Sequence, residues 1–261
     1  MHSNNKIPLY GFNNLTKNLS LSLYKVDCLT ANVTQSQYNN KINQLYNSSV
    51  LETWLIKVAH AIGGNVLNIA GQDYSPQGAS VTLLISEEAK PESLVSHMDK
   101  SHICIHTYPE ENPQAGLAIF RADIELSTCG VISPLKILNY VIAEFSADIV
   151  DIDFRVRGMT RDTDGKKCFN DDKIDTLSNY LNESIKKEYT AVDSASEIYN
   201  VLHSRLMRKE VNLENQVCNK LISTAIGKDL VKKETNDSIN ENKIKQKLQR
   251  EIYELFNKGI N

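Results

Sequence analysis

Residues 99–110 read Asp-Lys-Ser-His-Ile-Cys-Ile-His-Thr-Tyr-Pro-Glu, so a serine, two histidines, a thiol and carboxylates crowd into little more than one strand's length. The run His102 to Tyr108 is predicted as a strand, closed by a turn that holds Pro109 and Pro113. Because side chains alternate along a strand, His102, Cys104 and His106 share one face. Residue types alone would allow a metal site there. Yet a straight strand rises ~3.3 Å per residue, which puts His102 and His106 about 13 Å apart. One zinc ion with bonds of ~2.0–2.3 Å does not gather all three.

Outward from this stretch the chain alternates between two periods. On its C-terminal side, Gly116 to Ser127 is predicted as a strand, and Ser133-Pro134 as a helix start with Ser at the cap and Pro in the first turn. That helix carries Leu135, Ile137, Leu138, Val141, Ile142 and Phe145, and Ile149 to Val156 returns to strand spacing. On its N-terminal side, Leu19 to Leu29 reads as a strand. Ser36 to Ile62 carries a helical apolar stripe with a break near Asn47-Ser48 and a stop at Gly63-Gly64. Trp54 and His60 are expected in the core. Asn65 to Ala70 and Ala79 to Ser86 form a predicted hairpin around a Pro- and Gly-rich turn, and Glu87 to Lys100 is expected to be an exposed loop.

The order is therefore β-α-β-β followed by β-β-α-β. This predicts an α/β (α+β) fold: a two-layer sandwich of antiparallel sheet with helices on one face, in two similar β-α-β-β halves. Residues 1–170 form the expected core. Residues 171–261, with Ile198, Leu202 and Leu206 at helical spacing, are expected to be a helical extension for packing or assembly.

With 261 residues, 41% of them hydrophobic, the chain can bury a substantial core. The formal charge of -3, from 29 basic and 32 acidic residues, offers no basic field for a phosphate backbone, so nucleic acid is not an expected partner. Five cysteines, at 28, 104, 129, 168 and 218, show no close pair and suggest reduced thiols in a cytoplasmic protein. No apolar run approaches a membrane span.

Three stretches then stand out together: Gln72-Asp73-Tyr74-Ser75-Pro76-Gln77-Gly78-Ala79-Ser80; Lys100-Ser101-His102-Ile103-Cys104-Ile105-His106-Thr107-Tyr108-Pro109-Glu110; and Ser127-Thr128-Cys129-Gly130-Val131-Ile132-Ser133-Pro134-Leu135-Lys136. In wording, order and spacing they resemble the pyruvoyl-dependent S-adenosylmethionine decarboxylases, in the longer enterobacterial form, across residues 9–158. The resemblance implies a proenzyme that cuts itself between Lys100 and Ser101. Ser101 Oγ would attack the Lys100 carbonyl, His106 would remove the Ser101 α-proton, and Ser80 would steady the oxyanion.

The pyruvoyl group left at residue 101 would form a Schiff base with S-adenosylmethionine and release carbon dioxide, with Cys129 returning the proton. The decarboxylated product serves spermidine synthesis. Glu110 would hold the ribose hydroxyls and Tyr74 would stack on adenine. The same resemblance implies a homo-oligomer of cleaved protomers and a magnesium requirement, for which the sequence offers no ligands. Without it, Ser101 reads as a loop hydroxyl, and Cys104 and Cys129 as buried thiols. The competing readings are a zinc-binding protein and a catalytically inert interaction protein on the same fold.

Overall fold

The computed structural model describes residues 9–29, 34–86, 101–110, 116–129, 132–170, 174–213, 216 and 237–258. The Glu87 to Lys100 stretch lies outside them. So do Gly130 and Cys218.

Eleven strands and five α-helices are described. In chain order they are β1 (Leu9–Asn13), β2 (Thr16–Cys28), α1 (Gln35–Tyr46), α2 (Ser48–Ile62), β3 (Asn65–Asp73), β4 (Ala79–Ser86), β5 (His102–Pro109) and β6 (Leu117–Cys129). Then follow α3 (Leu138–Phe145), β7 (Ile149–Arg157), β8 (Thr160–Asp162), β9 (Lys167–Cys168), α4 (Glu183–Glu188), β10 (Tyr189–Ser196), β11 (Val201–Arg208) and α5 (Asp237–Phe256). Eight strands form one antiparallel sheet in the order β10-β11-β7-β2-β6-β5-β4-β3, and β1, β8 and β9 form a small second sheet.

Strand periodicity sorts the large sheet into two faces. Leu19, Leu21 and Leu23 of β2, Val81, Leu83 and Ile85 of β4, Ile103 and Ile105 of β5, and Phe120, Ala122, Ile124 and Leu126 of β6 are buried on one side. Each such side chain contributes roughly 1.5–3 kcal/mol when fully buried. Against them lie the helical stripes: Tyr38 and Ile42 of α1, Leu51, Trp54, Leu55, Val58, Ala59 and Ile62 of α2, and Leu138, Val141, Ile142 and Phe145 of α3. Tyr46 stacked on Phe120 at 4.6 Å joins helix to sheet, and Trp54 edge-on to Phe145 at 5.2 Å joins two helices.

The helix break falls where the sequence puts it. Asn47 closes α1 and caps α2, its side chain accepting the Val50 N–H at 3.0 Å. Gly63 ends α2 at φ 91°, a backbone angle that suits a residue without Cβ.

Three expectations need correction. His60 is exposed rather than in the core, because it sits one residue past the buried pair Val58-Ala59. The Ser133-Pro134 start is a 3₁₀ turn, Pro134–Ile137, without a side-chain cap, and the α-helix begins at Leu138. Residues 171–261 are not simply a helical extension: β10 and β11 extend the main sheet from β7. The genuinely helical part, α5, packs across the opposite face, with Leu248 and Ile252 on Val26, Cys28, Leu117 and Ile149. Among the described residues no helix is long and apolar enough to cross a membrane.

Candidate active site

The sheet face opposite α1–α3 is polar along β5 and β6. Reading the register across, His102 faces Ser127, Cys104 faces Glu125, and His106 faces Asp123, with Asn18, Ser20 and Ser22 of β2 next in each row. A strand that alternates apolar and polar residues must present its histidines to one side, and the inward isoleucines fix which side.

Ser101 stands one residue before β5 and is buried. Its carbonyl accepts the Ile85 N–H at 3.2 Å, anchoring it to the end of β4. Its hydroxyl accepts the Cys129 N–H at 3.3 Å and lies 3.4 Å from Cys129 Sγ. Thus the serine and the thiol, 28 residues apart in sequence, meet because β5 and β6 are ladder neighbours. Lys100 lies outside the described residues.

His106 is elsewhere. It lies five residues further along β5, about 16 Å from Ser101 at the ~3.3 Å rise of a strand. Directly opposite it on β4 is Ser80, and paired side chains of this kind have Cβ atoms roughly 4.5–5.5 Å apart. Ser80 Oγ and Tyr74 OH share a 2.7 Å hydrogen bond. The predicted residues therefore form two groups: Ser101 with Cys129 at the start of β5, and His106, Ser80 and Tyr74 towards its other end. Glu110 follows β5, and its Oε2 accepts the Ile119 N–H at 2.9 Å.

Three features escaped the sequence reading. Asp123, opposite His106, is gripped by Arg121 at 3.3 Å, and that guanidinium also lies 4.4 Å over the Tyr108 ring. Ile85 contributes only its backbone amide, which no side-chain motif announces. Thr107 is buried among inward isoleucines, an odd place for a hydroxyl, and that oddity is a signal the alternation itself carries.

Burial, then the nearby Glu125 carboxylate, pushes the Cys104 thiol above its ordinary pKa, as suits a structural half-buried thiol rather than a reactive one. Among the described residues no three His, Cys, Asp or Glu side chains come together as a metal site. His102, Cys104 and His106 accordingly give no support to a zinc reading, and among the described residues no such cluster offers itself to magnesium.

Ser101 is buried at the head of a central strand, its hydroxyl held by the Cys129 amide. The fold is an antiparallel sheet with a helical layer, an α/β sandwich that brings this serine and thiol together at one end of β5. A family model described as S-adenosylmethionine decarboxylase matches residues 32–158. The S-adenosylmethionine decarboxylase proenzyme of Buchnera aphidicola subsp. Acyrthosiphon pisum (strain APS) is 44% identical over 95% of this chain and 96% of its own. That of Salmonella arizonae is 47% identical over 80% of this chain and 85% of its own. Among solved structures, the adenosylmethionine decarboxylase from Aquifex aeolicus VF5 aligns over 56% of this chain and 91% of that one, at 20% identity and a TM-score of 0.36. On the identity and coverage of the curated relatives, this chain belongs to the S-adenosylmethionine decarboxylase family.

Proposed function

We propose that this chain is made as a precursor, cuts itself between Lys100 and Ser101, and then decarboxylates S-adenosylmethionine, yielding the aminopropyl donor for spermidine synthesis. The observation that supports this most is the Ser101 hydroxyl held at 3.3 Å by the Cys129 amide and 3.4 Å from its thiol, in a chain whose relatives are called proenzymes.

Ser101 Oγ attacks the carbonyl carbon of Lys100, and the amide becomes an ester as the Ser101 nitrogen leaves. Tethering makes effective molarities of ~10⁵–10⁸ M accessible to such an attack. A base then takes the Ser101 α-proton, the ester C–O bond breaks to leave Lys100 with a carboxylate, and residue 101 becomes dehydroalanine. Water converts this to a ketone with release of ammonia. Imidazole suits the base, since its ordinary pKa lies near neutrality.

About 16 Å along one strand is too far for the His106 of the same chain to reach that proton. On this reading the base is supplied by the His106 of a second copy, in a homo-oligomer that forms before cleavage, whose polar sheet faces meet and whose protomers stay together once cleaved. This gives the polar face a reason to stay open along β5 and β6.

The pyruvoyl group supplies a ketone that captures the substrate amine and an electron sink for the departing carboxylate. Its surroundings fit: residue 101 is buried, the Ile85 N–H already polarises its amide carbonyl, and the Cys129 N–H points at the side-chain oxygen. Cys129, whose Sγ lies 3.4 Å from the Ser101 hydroxyl, holds the proton that replaces the carboxylate. Glu110, with one oxygen on the Ile119 amide, keeps the other for the ribose hydroxyls. Tyr74, exposed and braced by Ser80, stacks on adenine. Among the described residues no group of three His, Cys, Asp or Glu side chains offers a magnesium site.

Ser101→Ala should remain a single chain by intact mass and release no labelled carbon dioxide from carboxyl-labelled substrate. Turnover by that variant would overturn the proposal. Cys129→Ala should still be cut yet lose at least ~100-fold in turnover, the lower range for a positioned proton donor.

A further inference from the structure

Thr107 is placed on the inward face of β5, next in line after Ile103 and Ile105, and it is buried. Its hydroxyl accepts the Ala79 N–H at 2.8 Å and donates to the Ala79 carbonyl at 3.2 Å. Both polar groups of Ala79 are therefore satisfied by one side chain, at the point where the β4–β5 register ends with Ser80 opposite His106. One further contact fastens the turn before it to the same end of β5, and another closes the turn on itself. Gln77 Nε2 donates to the Pro109 carbonyl at 3.1 Å, and the Tyr74 N–H donates to the Gly78 carbonyl at 2.8 Å. Gly78 itself has φ +98°, and a Cβ there would come within 2.8 Å of the Thr107 carbonyl oxygen.

We propose that Thr107 is a positioning residue for self-cleavage, its hydroxyl clamping Ala79 so that Ser80 is delivered opposite His106. This rests on the self-cleavage reading above and deepens it. Ser80 is the first residue of β4 that the ladder to β5 controls, so its angle depends on what holds residue 79. The ladder to β5 cannot do this, because it stops at Ser80; on that side residue 79 is held by Thr107 alone among the described contacts, while β3 pairs with it on the other edge. A methyl in place of the hydroxyl would leave the same volume and release both Ala79 groups, letting the Tyr74–Ser80 segment swing away from His106. A shift of about 1 Å at a reacting group costs on the order of 100-fold in rate.

The test is a time course of intact mass on freshly synthesised full-length chains. Thr107→Val should be cut ~10–100-fold more slowly than the wild type. Thr107→Ser, which restores the hydroxyl, should come within about threefold of the wild-type rate, on the same scale of rate loss per displaced group. Gly78→Ala keeps the hydroxyl but forces the turn off β5, and should be slow in the manner of the valine variant. Thermal midpoints of the same changes placed in the uncut Ser101→Ala chain show whether each variant folds. Wild-type cleavage by Thr107→Val, or a serine variant as slow as valine, overturns the clamp. Should valine prevent folding, Gly78→Ala decides: cleavage at the wild-type rate overturns the clamp. A wild-type chain that never cuts would instead sink the self-cleavage reading on which the clamp stands.

Discussion

Ser101 and Cys129 touch through a hydroxyl, a thiol and one backbone amide, and each of these depends on where two strands end. Cys129 closes β6, and Ser101 precedes β5 by a single residue. The motif words made both residues legible in the sequence, because their neighbours form unusual strings. Their contact was not legible, since it follows from the β5–β6 register, with His102 opposite Ser127. The distance from Ser101 to His106 was implicit in the strand spacing all along. Thr107 could have been found as a polar residue on an apolar parity.

A second buried residue offers a test by pH. Asp148 accepts the Val26 N–H at 2.8 Å and faces Arg208 at 3.9 Å, and burial raises its carboxyl above the ordinary range. A raised folded-state value means that the folded protein binds this proton more tightly than the unfolded chain. The stabilisation is complete below the unfolded pKa of ~3.9 and is lost as pH rises through the folded value. Asp148→Asn, which keeps an acceptor for Val26, removes that titration. The stability of the wild type minus that of the variant, from urea unfolding, should therefore fall as pH rises from about 4 toward neutrality. A flat difference would show that burial does not shift this group.

Among the elements, the helices α1 and α2 were readable from their apolar stripes and the break between them, whereas the Ser133 cap read for the later helix is not formed. Thr34 and Gln37 form a capping box for α1, Asn47 serves two helices at once, and Gly63 stops the second. Asn47→Ala should cost about 0.5–2 kcal/mol, read as a lower urea midpoint. Its effect should exceed that of an ordinary surface change, because the turn that aims α2 at β3 and β4 loses its only side-chain brace on Val50.

The hairpin β10–β11 was misread for a definite reason. Leu202 and Leu206 are four apart, a spacing that suits a helical stripe but is also even, so it suits one face of a strand equally. The third residue of that supposed stripe, Ile198, is 91% exposed in the turn between the strands. Tyr189–Ser196 offers too few large apolar residues to show any period.

For the molecule as a whole, the antiparallel sheet and its helical layer were legible. The reach of the C-terminal segment across both faces was not, since long-range pairing leaves no local trace. The separation of the two groups along β5 makes its own prediction. Neither Ser101→Ala nor His106→Ala should be cut alone. Co-produced in one cell, the two should assemble mixed oligomers in which the His106→Ala chain, still bearing Ser101, meets an intact histidine from its neighbour and is cut. Intact mass of the mixture reads this directly, and cutting confined to no chain at all would show that the histidine acts within its own protomer.

The sheet order has a last consequence. A break before Ser101 assigns β2, β3 and β4 to one piece and β5, β6, β7, β10 and β11 to the other, yet β2 lies between β7 and β6. The pieces are thus interleaved like the fingers of two hands, and neither can be withdrawn without unzipping the middle of the other. On the proposed cleavage, then, a matured molecule would keep both of its pieces for as long as the sheet itself holds together.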